Sequence, residues 1–256
     1  MKTGRVALLH IAVVVGAVDR NRSMVEAGVK HAAAAGAQWI ITPELSICGL
    51  QFARVIGTDW IESQPDAWMA GLCRLAKTLN VTVCLGCPER EGRKLYNSAF
   101  LINSRGQIVG RHRKINVASD SLSWSSPGET VDPLECDGLK VGILVCADAY
   151  ESSISGALKS RGAKILLSPT SWGPGLHGPN GEWEERTRET GLSLIVCNRT
   201  GAEKTLDFWT APSLVVQDGK RLLSHTSDKS AILFFDWNFT TMRPLSTAYK
   251  TSYYRQ

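Results

Sequence analysis

A chain of 256 residues, 43% hydrophobic and 21% charged, has the make-up of an ordinary soluble globule. Its net charge of +5 is mild, and its basic residues are scattered apart from Arg111, Arg113 and Lys114. The basic stripe of a nucleic-acid binder is missing, and no apolar run reaches transmembrane length, so neither nucleic acid nor membrane is an expected partner.

The predicted elements alternate along the chain. MKTGR followed by VALLHIAVVVGAV has the basic start and apolar length of a signal peptide. His10 interrupts the run and no small-residue cleavage site follows, so residues 6–14 read as a buried strand. Residues 19–35 read as a helix with Val25, Val29, Ala32 and Ala33 on one face, ended by Gly36. Residues 37–44 read as a strand, 65–79 as a helix, and 81–89 as a strand. Residues 96–114 form a predicted hairpin that turns over Asn103 to Gly106.

The second half repeats the plan. Two strands flank an Asp137-Gly138 turn, a helix covers 149–161, and 163–172 is a strand. A Gly/Pro-rich loop spans 173–181, a helix follows, and 192–201 is a strand. A hairpin turns at Asp218-Gly219, and AILFFDW completes the strands. Buried strands alternating with amphipathic helices point to α/β layers: two sheets packed together with helices outside both. A single core reaches its limit near this size. One domain over 1–237 is expected, followed by a C-terminal arm over 238–256.

Seven cysteines, at 48, 73, 84, 87, 136, 146 and 197, lie mostly inside apolar runs. Free cysteine packs as a small hydrophobe, so these read as the reduced, buried thiols of a cytoplasmic protein. Cys84 and Cys87 form a CxxC without a second pair and read as core rather than as zinc or redox ligands.

In open α/β sheets, sites collect beyond the carboxyl ends of strands. Glu44 follows WIITP, Lys114 follows IVGRHR, and Cys146 follows VGILV. Each alone reads more readily as a solvated strand end or a core thiol. Together they are a chemical set. The thiolate is the nucleophile, an ammonium favours it and can hold an oxyanion, and a carboxylate can take the proton. No histidine is required.

Five segments in order resemble the nitrilase superfamily of carbon–nitrogen hydrolases: ITPELSICG, YNSAFLINSRGQIVGRHRKIN, GLKVGILVCADAYES, GAKILLSPTSW and ERTRETGLSLIVCNRTG. The resemblance runs from Arg5 to about Trp237. It implies a four-layer α-β-β-α sandwich with two internally similar halves, often paired into homodimers through helices beside the nucleophile. It implies Glu44 as base, Cys146 as nucleophile forming a thioester, and Lys114 with the Ala147 N–H as oxyanion donors, with no metal or organic cofactor. Asp148 and Glu151 fall at the family's acidic positions. The implied substrate is a small linear amide or N-carbamoyl compound, because Ala147-Asp148 stands where the nitrilase branch carries Trp-Glu.

The chain departs from that pattern in one loop. INVASDSLSWSSPGET has no glutamate before Pro127-Gly128; Asp120 is the nearest acid before it and Glu129 follows it. Asp120 joins Ser171 and Trp172, which end a strand where the family lines its pocket, as a candidate substrate contact. The departure keeps an acyl-transferring enzyme open as an alternative, beside a non-catalytic scaffold and a Cys–His protease using His112 or His177. Arg111 and Arg113 alternate with Lys114 and should point away from it, to solvent or a partner.

Overall fold

The computed structural model describes residues 3–117 and 124–253. The first half opens with β1 (Thr3–His10), α1 (Val18–Ala34) and β2 (Ala37–Ile41), then a short helix, α2 (Phe52–Ile56). Helix α3 (Ala67–Leu79) is started by Asp66, whose Oδ1 accepts the Met69 N–H at 2.7 Å, which satisfies one of the orphan donors of a first turn. The strands β3 (Thr82–Glu91), β4 (Lys94–Ile102) and β5 (Ile108–Arg113) form an antiparallel meander. Asn103 Oδ1 accepts from the N–H groups of Arg105 and Gln107, building the expected turn.

The second half opens with the hairpin β6 (Leu134–Cys136) and β7 (Leu139–Ile143). Its two turn residues have φ of +52° at Asp137 and +83° at Gly138, the backbone such a tight hairpin demands. Next come α4 (Ser152–Ser160), β8 (Ile165–Pro169), α5 (Glu182–Thr190) and β9 (Ser193–Cys197). Two short strands, β10 (Ala202–Glu203) and β11 (Leu206–Asp207), pair with each other. The hairpin β12 (Ser213–Gln217) and β13 (Lys220–His225) precedes β14 (Ala231–Asn238), β15 (Arg243–Pro244) and β16 (Lys250–Tyr253).

The strands form two main sheets. One runs β15-β14-β1-β2-β3-β4-β5, with β16 also on β14; the other runs β13-β12-β9-β8-β7-β6. Each has a parallel centre, β1-β2-β3 or β7-β8-β9, carried by crossover helices, with antiparallel strands at its margins. The inner faces of both sheets share one apolar cluster that includes Leu8, Ile41, Leu101, Ile143, Leu167 and Val215. A second cluster packs α1 and α3 on the outside of the first sheet, and α4 and α5 cover the second. The α-β-β-α sandwich with two similar halves is therefore present.

The symmetry is broken by β14, which crosses from the second half to lie antiparallel beside β1, Leu8 opposite Leu233. The chain beyond Trp237 stays on that strand: β16 pairs with it and Tyr249 packs its ring on Phe235 at 5.6 Å. All seven cysteines are unbridged. Cys84 faces the cluster between the sheets and Cys87 the outer one, as core residues do on opposite faces of a strand.

Candidate active site

Three of the strands end sooner than the apolar runs predict: β2 at Ile41, β8 at Pro169 and β9 at Cys197. The residues beyond them are still buried. They are the floor of a cleft between the carboxyl ends of the parallel strands, which is why hydrophobicity alone carries the strands too far.

Beyond β2, Thr42 to Glu44 bend over β3. A Cβ on Gly86 would meet the Pro43 carbonyl oxygen at 2.3 Å, so the close approach requires glycine. Thr42 Oγ1 accepts the Gly86 N–H at 3.0 Å, and the Ser46 N–H reaches the Gly86 carbonyl at 2.9 Å. This holds Glu44 completely buried. Its Oε1 accepts from Lys114 Nζ and from Asn97 Nδ2, both at 2.7 Å. Its Oε2 accepts the Ser171 N–H at 3.1 Å, and Ser171 Oγ donates back to the Glu44 carbonyl at 2.9 Å.

Lys114 follows β5, its N–H on the Asn97 carbonyl at 2.8 Å. Burial works against its charge, but the Glu44 carboxylate and then Cys146 outweigh it and hold the pKa above that of an ordinary lysine. Arg111 and Arg113 do point to the other face. They do not run free to solvent but clasp Glu89 and Glu91.

Cys146 sits where the chain leaves β7 and turns sharply, with φ of +51°. A residue with a Cβ pays of order 1–3 kcal/mol there and keeps the conformation only when its surroundings impose it. Asp148 imposes it. Its Oδ2 accepts the Val145 N–H at 2.9 Å and its Oδ1 accepts the N–H groups of Ile115 and Asn116 at 2.9 and 2.8 Å. His112 Nε2 donates to Oδ2 at 2.9 Å. Burial opposes the Asp148 charge, yet the His112 contact, then the Asn116 N–H and the Lys114 charge, hold its carboxyl below the usual range. One carboxylate thus ties the thiol turn to the segment carrying Lys114. A tight 3-10 turn over Cys146–Tyr150 precedes α4, where the sequence predicts an ordinary helix from residue 149.

Burial pushes the Cys146 thiol pKa up, and Glu44 adds to it through charge and a hydrogen bond; Lys114 and the Ser171 N–H oppose. Cys146 and Lys114 open onto a cavity of about 470 Å³. Ala147, Ser171 and Trp172 line it, with Leu50, Tyr150 and Phe208. Trp172 is fixed rather than mobile: its N–H and carbonyl bond to the Asn198 side chain at 3.1 and 2.9 Å, and its ring packs on Trp183 at 5.3 Å. His177 is at the exposed rim, its carbonyl accepting from Tyr150 Oη and Trp172 Nε1. His112 faces Asp148 rather than the thiol, so it is not placed as the base of a Cys–His protease. Asp120 lies outside the described residues. Glu129 is exposed and pairs with Lys94 at 3.3 Å.

Asn97 and the His112–Asp148 contact escape sequence reasoning. The only signal for Asn97 is an amide, beside Ser98, at the start of the strand run YNSAFLI. Among the described residues no group of His, Cys, Asp or Glu could hold a metal ion, and no helix is long and apolar enough to cross a membrane.

Fold and site together define an α-β-β-α scaffold with a buried thiol, carboxylate and ammonium gathered at one cavity. A family model for carbon-nitrogen hydrolases matches residues 5–245, and the chain belongs to that family. It is similar to a nitrilase from Pyrococcus abyssi, 27% identical over 213 residues, 82% of this chain and 80% of the relative. Among solved structures it is similar to Saccharomyces cerevisiae Nit3, a member of branch 10 of the nitrilase superfamily, with TM-score 0.83 and 16% identity over 94% of this chain and 92% of that one. It is also similar to an amidase from Nesterenkonia sp. AN1, TM-score 0.78 and 25% identity over 90% and 91% of the two chains.

Proposed function

We propose that this carbon-nitrogen hydrolase cleaves a small linear amide or N-carbamoyl compound through a thioester on Cys146, with Glu44, Lys114 and Cys146 as its catalytic set. The observation that carries the reading is that Lys114 and Cys146 line one cavity while Glu44 touches the Lys114 ammonium from beneath at 2.7 Å. The raised thiol pKa means that the resting nucleophile keeps its proton, so attack and proton transfer occur together.

In acylation the sulfur–carbon bond forms as the thiol proton passes to Glu44. The oxyanion is held by Lys114 and the Ala147 N–H. The carbon–nitrogen bond then breaks, and the proton leaves with the ammonia or amine. In deacylation water attacks the thioester, gives its proton to Glu44, and the sulfur leaves to recover that proton. Both carbonyl steps use the same donors, so the ammonium stabilises each tetrahedral state. Ser171 and Trp172 form the wall against which the substrate lies.

Intact-mass measurement with candidate amides tests this: an acyl adduct on Cys146 is expected, and wild-type protein that releases ammonia without one overturns it. Cys146→Ala is expected to abolish both. Glu129, facing solvent, favours one second reading, in which an amine rather than water takes the acyl group; added amine acceptors would then raise the rate and yield a new amide. The unbridged cysteines support a cytoplasmic enzyme. Self-association through α4 and α5, beside the thiol turn, is expected to give a solution mass of twice 27.9 kDa.

A further inference from the structure

The cavity's charge balance says which substrates it takes. Its walls include Leu50, Tyr150, Trp172, Leu206 and Phe208; its lining residues that can carry charge, besides Cys146 and Tyr150, are Lys114, Asp207 and, at the exposed rim, His177. The Lys114 charge is matched by Glu44 at 2.7 Å. Cations behind the walls are matched too. Arg199 is buried against Glu203, and Arg186, under the Tyr150 carbonyl, pairs with Glu185 and Glu189. Lys204 belongs to a different depression, beside Trp209 and Val13. The rim adds negative charge: Asp207 is exposed, and Glu182 is close enough to Tyr150 to help raise its phenol pKa, after burial.

Among the described residues, a second carboxylate on a substrate would therefore enter an apolar space whose lining lysine already has its partner, with His177 held out at the exposed rim. It would lose its hydration without gaining an ion pair, and Asp207, exposed at the rim with its Oδ1 on the Trp209 N–H at 2.8 Å, adds a like charge there. We propose that the cavity selects amides and ureas whose remaining group is uncharged and apolar, and rejects those that carry a carboxylate on it. This rests on the amide-cleaving reading above and narrows it: N-carbamoyl amino acids and half-amides of dicarboxylic acids are disfavoured, while alkyl and aryl amides and ureas are accepted. Asp207 is the specificity-determining charge at the rim and the apolar walls supply the desolvation.

The test uses a chain-matched pair, pentanamide and the monoamide of glutaric acid, with propylurea and N-carbamoyl-β-alanine as a second pair. The neutral member is expected to exceed the carboxylate in kcat/KM by about 100-fold, the size of a desolvated, like-charge mismatch. Asp207→Asn is expected to narrow the gap several-fold by raising the carboxylate's value. A gap below tenfold, or a carboxylate that is preferred, overturns the inference while an adduct on Cys146 leaves the amide-cleaving reading standing. If neither compound forms an adduct, that reading fails, and calorimetric binding to Cys146→Ala decides the inference alone: only the neutral member should bind, and equal binding or none overturns it.

Discussion

Two buried carboxylate–cation pairs stand behind the cavity, and they are used up to different degrees. In the Arg199–Glu203 pair both side chains are fully buried. Glu203 accepts the N–H groups of Leu50 and Gln51 at 2.8 Å on its two oxygens. Arg199 donates to the carbonyls of Val13 and Thr200 and lies over the Phe208 ring at 4.5 Å. The pair is spent on main chain, knitting two wall segments together. Glu44–Lys114 is equally buried but is coupled to a thiol, and its ammonium opens onto the cavity. Burial and pairing alone do not mark a catalytic group; the difference lies in what the pair still faces.

Removing one cation from each pair is the sharpest way to break that comparison. Lys114→Met and Arg199→Met both strand a buried carboxylate, so each is expected to cost about 3–5 kcal/mol in denaturant unfolding. Only Lys114→Met should also slow acylation of Cys146, by about 100- to 1000-fold per folded molecule. Arg199→Met should raise KM through the displaced Leu50 and Phe208 while folded protein keeps its acylation rate at saturation. Equal losses of acylation in the two variants would erase the distinction.

The two sides also answer acid differently. On the structural side His10 Nδ1 contacts the Asn198 carbonyl and Ser213 Oγ, both at 3.0 Å. Burial, then the charge of His225, lowers its pKa from 6.5 to about 4. The unfolded chain takes up that proton first as pH falls. Stability is therefore full above pH 6.5, declines down to about pH 4 and then levels, a loss of about 3 kcal/mol at ~1.4 kcal/mol per pH unit. His10→Gln should flatten that slope in urea titrations across this range. At the proposed site Asp148 acts in the same sense but in a lower window: its depressed carboxyl adds stability above the unfolded value of about 4, lost only as pH falls further through the folded value. Asp148→Asn should remove about 1.5–3 kcal/mol near neutral pH, and the acid limb below pH 4 should become shallower than in the wild type.

How much of this is legible from residues alone follows the range of the interactions. Apolar runs and turn pairs such as Asp137-Gly138 are local, so the layers and hairpins can be read directly. Glu44, Lys114 and Cys146 stand out because charge and sulfur interrupt apolar runs at strand ends. What joins them is not local. The His112–Asp148 contact spans 36 positions and the Asn97–Glu44 contact 53, and nothing in either neighbourhood announces its partner. The same holds for β14, whose composition fits either sheet and whose pairing with β1 is decided by tertiary packing.

The smallest expected effect separates exposure from placement among the thiols. Cys73, on α3, is the one cysteine only partly buried, and its pKa is raised less than that of Cys146. Thiolate fraction alone therefore favours Cys73. The proposed mechanism reverses the order for a small neutral electrophile, because in it Glu44 takes the proton as the sulfur attacks. Iodoacetamide is expected to alkylate Cys146 before Cys73 by roughly tenfold, an advantage within what a positioned general base contributes. Iodoacetate, which carries the carboxylate that the cavity disfavours, should label Cys73 first. Glu44→Gln should move the iodoacetamide label to Cys73 as well. Peptide mass mapping reads all three outcomes. If both reagents mark Cys73 first in the wild-type protein, the cavity gives its thiol no advantage, and Glu44–Lys114 is as structural as Arg199–Glu203.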